Sequence, residues 1–270
     1  MSEFEKLKVV TKYEFLKQYR RKRFYGALAI TVLAVVLTIV LYKGLDLPGR
    51  MRIPDSPELF AMFVTSMSSM AILGAVFFAG DAIVSEFERK TGYILFPNPV
   101  KRTTLVVGKY IACVVATAII IIIAYLMSAG ALLGFYQQVP GGILGSMAIA
   151  LMLACSVISM AFVFSSVFKG GMGATIATLL TYMVIFSVIS SALSFAGYDP
   201  WFMPNRAADA MAATYNISFG QAFGGMFGGM NMGPMLSSSP DPALSFFVLL
   251  GYTVIFLLIS IWLAKRKEMI

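Results

Sequence analysis

The chain has 270 residues, 59% of them hydrophobic, with a mean hydropathy of +0.83 and a formal net charge of +8. That composition lies far outside soluble globular domains. The lack of any histidine removes imidazole acid–base catalysis and the commonest metal ligand.

The first predicted element is a helix over 9–24. Val9, Val10, Tyr13, Leu16 and Tyr19 share one side of it, with Glu14, Gln18, Arg21 and Lys22 opposite. Lys12, Lys17, Arg20 and Arg23 flank the apolar side, from which long cationic side chains reach water. The pattern fits a helix lying in the inner-leaflet interface. A charge cluster that only stops and orients the first span is the other reading.

Six apolar stretches follow, at about 25–43, 59–80, 105–133, 143–168, 172–197 and 244–264. A spanning helix needs about 20 mainly apolar residues. Lipid leaves no partner for open backbone groups, and the runs are solid rather than alternating, so helices are expected and a barrel is not. The fold class predicted is an all-α, six-span integral membrane protein forming a single transmembrane domain over 1–270. The third stretch is too long for a perpendicular crossing and must tilt or project at its Lys109 end. The first apolar run starts after a polar segment and is long enough to span, so it reads as an insertion signal that stays in place.

Lys and Arg give the orientation. All but four, namely Lys43, Arg50, Arg52 and Arg206, fall on one side of the six stretches. That side is expected to be cytoplasmic and to hold both termini, which predicts a multi-pass protein of the cell (plasma) membrane. The charge sits beside spans, so the basic balance is a topology signal and not a nucleic-acid site.

Between the stretches, 44–58 is a short polar outer loop with Pro48, Pro54 and Pro57. The 198–243 outer segment is the largest excursion. A helix is expected in it from about Asn205, a candidate N-cap, with Ala207, Ala208, Ala210, Ala212 and Ala213 favouring it. Its low polarity predicts that part of it dips back or packs on the spans. Six of its methionines, Met203, Met211, Met226, Met230, Met232 and Met235, are either soft-metal ligands or, with no Cys or His nearby, adaptable packing; no metal site is assigned. Cys113 and Cys155 fall inside spans and read as small buried hydrophobes.

The 81–104 loop is the one sizeable stretch between spans on the basic side. Asp81 to Thr91 looks helical, and Glu86 precedes Lys90 by four residues, a favourable pairing. Gly92 can end that helix. Tyr93, Ile94, Leu95 and Phe96 then form a short apolar element before the break at Pro97-Asn98-Pro99. Such an element can seat in a groove on a partner or rest among lipid headgroups.

The order acidic–x–acidic, Thr-Gly, hydrophobics, Pro, Lys-Arg and then Gly-Lys entering the third span resembles the ABC-2 type permeases. The residues that carry it are Glu86, Glu88, Thr91, Gly92, Pro97, Pro99, Lys101, Arg102, Gly108 and Lys109. The basic segment before span 1, the six-span plan and the long outer segment before span 6 extend the likeness over the whole chain. The resemblance implies the transmembrane subunit of an ATP-binding-cassette transporter, paired with a second permease subunit, the same chain or a paralogue. It implies a separate nucleotide-binding ATPase that carries ATP and Mg. It also implies a coupling helix at about Ala82–Phe96. There Glu86, Phe87, Glu88, Arg89, Lys90 and Gly92 would meet the ATPase, with Tyr93, Ile94, Leu95 and Phe96 seated in its cleft. Tyr13, Leu16, Tyr19, Arg20 and Arg21 fall on the segment that in such families becomes the interfacial helix. No phosphate loop is present: Gly108-Lys109 is followed by Tyr110. The chain is therefore read as a transport subunit with no catalytic residues, no cofactor of its own and export rather than import as its task.

Span 5 and the adjoining part of span 4 are rich in hydroxyls. Thr178, Thr181, Ser187, Ser190 and Ser191 form a candidate polar path, though such hydroxyls also bond their own helix. No charge lies deep within a span, which argues against a proton-coupled carrier and suits a lipidic, amphipathic or peptide-like cargo. A membrane scaffold or assembly factor without transport of its own is the alternative.

Overall fold

A computed structural model describes residues 2–51, 55–66, 70–84, 101–216 and 240–266. Among these, every regular element is a helix. The chain opens with α1, Glu3–Tyr19, started by a capping box in which the Ser2 hydroxyl accepts from the Glu5 amide and the Glu5 carboxylate from the Ser2 amide. The helix expected over 9–24 is thus divided. It breaks at Arg20-Arg21, where Arg21 is extended, and α2, Lys22–Gly44, begins a new direction.

A short α3, Leu47–Met51, follows Asp46, which is left-handed at φ 48° and accepts the Gly49 amide. Then come α4, Pro57–Ser66, and α5, Met70–Ala79. These two helices occupy the stretch read as span 2, with 67–69 outside the described residues. After them α6, Arg102–Tyr136, runs 35 residues without a break and ends on left-handed Gln137. Next are α7, Ile143–Val167, and α8, Gly171–Phe195. The latter carries a π turn at Thr181–Ile185. The outer segment holds α9, Pro204–Ala213, with its proline in the first turn. Last is α10, Pro242–Arg266, whose first turn is tied by the Ala243 amide to the Asp241 carboxylate at 3.0 Å.

Five helices among the described residues are long and apolar enough to cross a membrane: Lys22–Gly44, Thr103–Tyr136, Ile143–Val167, Gly171–Phe195 and Pro242–Arg266. They make the chain a multi-pass membrane protein. The bundle is built around α7, which packs against α5, α6, α8, α9 and α10. Its small residues, Ala150, Ala154, Ser156, Ser159 and Ala161, let neighbouring backbones come close. Leu153, Ile158 and Phe162 fill the remaining space. The outer faces of α2, α8 and α10 expose Leu33, Val40, Ile176, Val188, Phe247 and Leu258, the surface a spanning helix turns to lipid.

α9 packs on α4, α7, α8 and α10 and buries Ala207, Ala210 and Met211. Gly142, at the start of α7, lies so close to the Thr214 carbonyl that any side chain there would collide with it. The outer segment therefore does pack on the spans where it is described. Its N-cap is Met203 and not Asn205. Asn205 instead accepts the Ser190 hydroxyl at 2.9 Å.

Candidate functional site

Loop residues 85–100 lie outside the described residues, and with them Glu86, Phe87, Glu88, Arg89, Lys90, Gly92, Tyr93, Ile94, Leu95 and Phe96. The two points where that loop leaves and rejoins the bundle are described in full, at the end of the molecule that carries α1.

The leaving point follows α5. Gly80 faces Thr175 of α8, whose Cα is 3.0 Å from where a Cβ at residue 80 would stand, so only glycine lets the two helices meet this closely. The Asp81 carboxylate accepts from Arg21 at 3.2 Å and Arg23 at 2.9 Å, the first in the α1–α2 break and the second in the first turn of α2. The Ser165 hydroxyl on α7 accepts the amides of Ile83 and Val84, both at 3.1 Å. Ala82, Ile83 and Val84 are buried. The Ala82 amide still reaches the Ala79 carbonyl, but those of Ile83 and Val84 lie beyond the end of α5 and need an outside acceptor, which Ser165 supplies. The buried Gln18 amide of α1 donates to the Phe78 carbonyl at 3.4 Å and to the Cys113 sulfur at 3.5 Å.

The return point is the first turns of α6. Glu3 of α1 stands 3.7 Å from the Lys101 ammonium and accepts from the Thr104 hydroxyl at 3.4 Å. Gly108 admits Val10 of α1, whose Cγ1 would be 2.7 Å from a Cβ at that position. One residue on, Lys109 is only 3% exposed and lies 3.0 Å from Glu14, itself 18% exposed. Burial raises the pKa of the Glu14 carboxyl, but the ammoniums of Lys109 and Lys17 outweigh it and hold the group below its ordinary value.

The residues read as an interfacial helix divide by face. Tyr13 and Leu16 are exposed, and Tyr19, partly exposed, lies against Phe24 of α2 at 5.6 Å between ring centroids. Arg20 and Arg21 form the break, and Arg21 turns to Asp81. The polar side read from the wheel, Glu14 and Gln18, faces inward to α5 and α6 instead of water, because Lys109 and the Phe78 carbonyl wait there for partners. Sequence reasoning missed Asp81, Ser165 and the Glu14–Lys109 pair. One signal was present: Lys109 sits inside an apolar run, where a charge needs a partner.

The candidate polar path is not a set of free hydroxyls. Thr178 is buried and donates to its own Ala174 carbonyl at 2.8 Å, and Ser190 is engaged by Asn205. Thr181 and Ser187 are half-buried, and Ser191 is exposed. Cys113 and Cys155 are free thiols, the first buried and the second half-buried. Met203 and Met211 are buried packing residues, and among the described residues no group of His, Cys, Asp and Glu could hold a metal; Met226, Met230, Met232 and Met235 lie outside the described residues.

A comparison with curated proteins gives no match. A profile of the ABC-2 family transporter proteins matches residues 8–269, nearly the whole chain, from within α1 through the last helix. A bundle of apolar helices, with a loop anchored on both sides at its α1 end, is thereby placed: the chain belongs to the ABC-2 transporter family and is a membrane permease component.

Proposed function

We propose that this permease works with a separate ATPase chain that docks on the loop between α5 and α6, and that the pair exports a lipidic, amphipathic or peptide-like substrate. The membership in a permease family gives the transport role; the docking reading rests on one observation. Both ends of that loop are built into the bundle, by side-chain bonds to α1, α2 and α7 and by the close approach of Gly80 to α8. A loop held in this way passes a push on to the spans instead of absorbing it.

In this reading the α1 end is cytoplasmic, in agreement with the lysines and arginines gathered there. The α4–α5 segment completes a sixth span, and both termini are cytoplasmic, in the plasma membrane. Two permease subunits work with two ATPases that carry ATP and Mg. Closure of the ATPase dimer moves the docked loops, and the ATPase must bind the two packings of the spans with different affinity for this to drive transport. Glu86, Glu88, Arg89 and Lys90 make the polar contacts, and Tyr93 to Phe96 the apolar ones. Thr178, Thr181, Ser187, Ser190 and Ser191 line the substrate side of α8 when the packing changes and their present bonds are exchanged.

The test is recovery of the chain from its native membranes in mild detergent, with mass spectrometry of what accompanies it. A stoichiometric ATPase bearing a phosphate loop is expected, and Glu86→Lys with Glu88→Lys should abolish its recovery while the permease stays inserted. Reproducible absence of any ATPase beside an intact chain would overturn the reading and favour a scaffold.

A further inference from the structure

One helix reaches both ends of the loop. From its first turn to its last, α1 meets Lys101 and Thr104 through Glu3, Gly108 through Val10, Lys109 through Glu14 and Phe78 through Gln18. Arg21, in the break that follows it, grips Asp81. Seventeen residues of helix make a rod of about 25 Å, and its charged contacts with α6 are concentrated at a single buried pair. A cation at 3% exposure and an anion at 18% hold each other tightly only in one register of the two helices. The Gly108 contact supports the same register, because a Cβ there would force α1 away.

We infer that α1 is the positioning element of the docking loop, and that Glu14 and Lys109 are its positioning residues. The pair fixes α1 on α6 at the loop's return, while Gln18 and Arg21 fix the same rod to the loop's departure. α1 thus bridges the two ends of the loop. A displacement of the loop must carry α1 with it, and through Arg21 and Arg23 it must reach the start of α2. This inference rests on the docking reading for its consequence in transport, but the positioning itself can be measured without any ATPase.

The experiment replaces the charges by neutral groups of similar size, E14Q with K109M, in the full chain. Amide hydrogen exchange of the purified permease is read at α1, at 78–84 and at 101–109. Exchange at least tenfold faster in α1 and at both ends of the loop is expected; rates unchanged from the unsubstituted chain overturn the inference. A second variant adds V10C and G108C to the neutral pair. The Val10 Cβ is 3.3 Å from where a Cβ at 108 would stand, close to the separation a disulfide spans. Oxidation should restore slow exchange at the departure point, 78–84, which lies away from the crosslink, and reduction should remove it. Failure of the oxidised form to restore it also overturns the inference.

Where the unsubstituted chain recovers its ATPase, the neutral pair should recover it within about twofold. The permease's effect on the rate of ATP hydrolysis should fall about tenfold and return on oxidation. An unchanged effect on hydrolysis overturns the inference. Failure of the unsubstituted chain to recover any ATPase counts against the docking reading alone, since the exchange measurement still decides the positioning role.

Discussion

The two ends of the bundle are fastened by the same kinds of residue used in opposite ways. At the α1 end, Lys109 and Glu14 are 3% and 18% exposed and join helices far apart in sequence. At the α3 end, Lys43 reaches Asp55 at 2.8 Å, but these side chains are 27% and 47% exposed. There Tyr136 donates to the same Asp55, and its ring lies under the Lys43 ammonium at 4.3 Å from the centroid. Around them Tyr42 and Phe60 meet edge to face at 5.1 Å. The α3 end is therefore held by aromatic packing with a charge pair on its rim, and the α1 end by a charge pair with glycine-mediated close approach. Screening and side-chain entropy leave an exposed pair little net stabilisation, whereas a buried one cannot lose a partner cheaply.

The largest effect that would break this contrast is at Glu14. Glu14→Ala leaves Lys109 buried and without its carboxylate, which costs about 3–5 kcal/mol. A sharply lowered unfolding temperature in detergent is expected. A change no larger than that of an exposed substitution would put the two ends on an equal footing. Next comes Ser165→Ala, which removes the acceptor of two buried amides and costs about 1–3 kcal/mol. Its mark is local: faster amide exchange at Ile83 and Val84, with α9 and the α3 end unaffected.

Smaller still is Asp55→Asn at the α3 end, expected to cost less than about 1 kcal/mol and to fade further at high salt. Urea or thermal unfolding at two ionic strengths would show it. The pH dependence of the α1 end sharpens the comparison last. Glu14's pKa is lowered in the folded protein, so its contribution is complete above the ordinary glutamate pKa of about 4.3 and is lost only as pH falls through the lowered value. An environment-sensitive label at position 7 should report α1 in place from neutral pH down to that range and released below it. Release at mildly acidic pH would contradict the assignment.

Much of the bundle was legible in the sequence because hydropathy alone decides which segments lipid can solvate. The stretches at 143–168 and 244–264 appear as Ile143–Val167 and Pro242–Arg266. What hydropathy does not encode is partnership. The wheel of the first helix correctly separated Tyr13 and Leu16 from Glu14 and Gln18, but a polar side can face water or another polar group. Only the fold brings Lys109, 95 positions along from Glu14, to that side. The Arg20-Arg21 break was hidden for a related reason: both residues have good helix propensity, and the Asp81 that Arg21 pairs with there is distant in sequence. Ser165 stood unmarked among the hydroxyls of spans 4 and 5, since nothing local distinguishes a hydroxyl that lines a path from one that caps a neighbouring chain. The residues proposed for docking, 86–96, were reached through motif and family resemblance, and they lie outside the described residues.

The length of α6 has a mechanical consequence. Its 35 residues make a rod of about 52 Å, against a hydrocarbon layer of about 30 Å. Among the described residues it is an uninterrupted helix from Arg102 to Tyr136, without a proline at which to fold. Were such a rod to turn about its middle, a sideways shift of its first turn would reappear at Tyr136 with the opposite sign. The hydroxyl and the ring that hold Asp55 and Lys43 therefore sit on the far arm of a lever whose near arm is clasped by Glu14 and Val10.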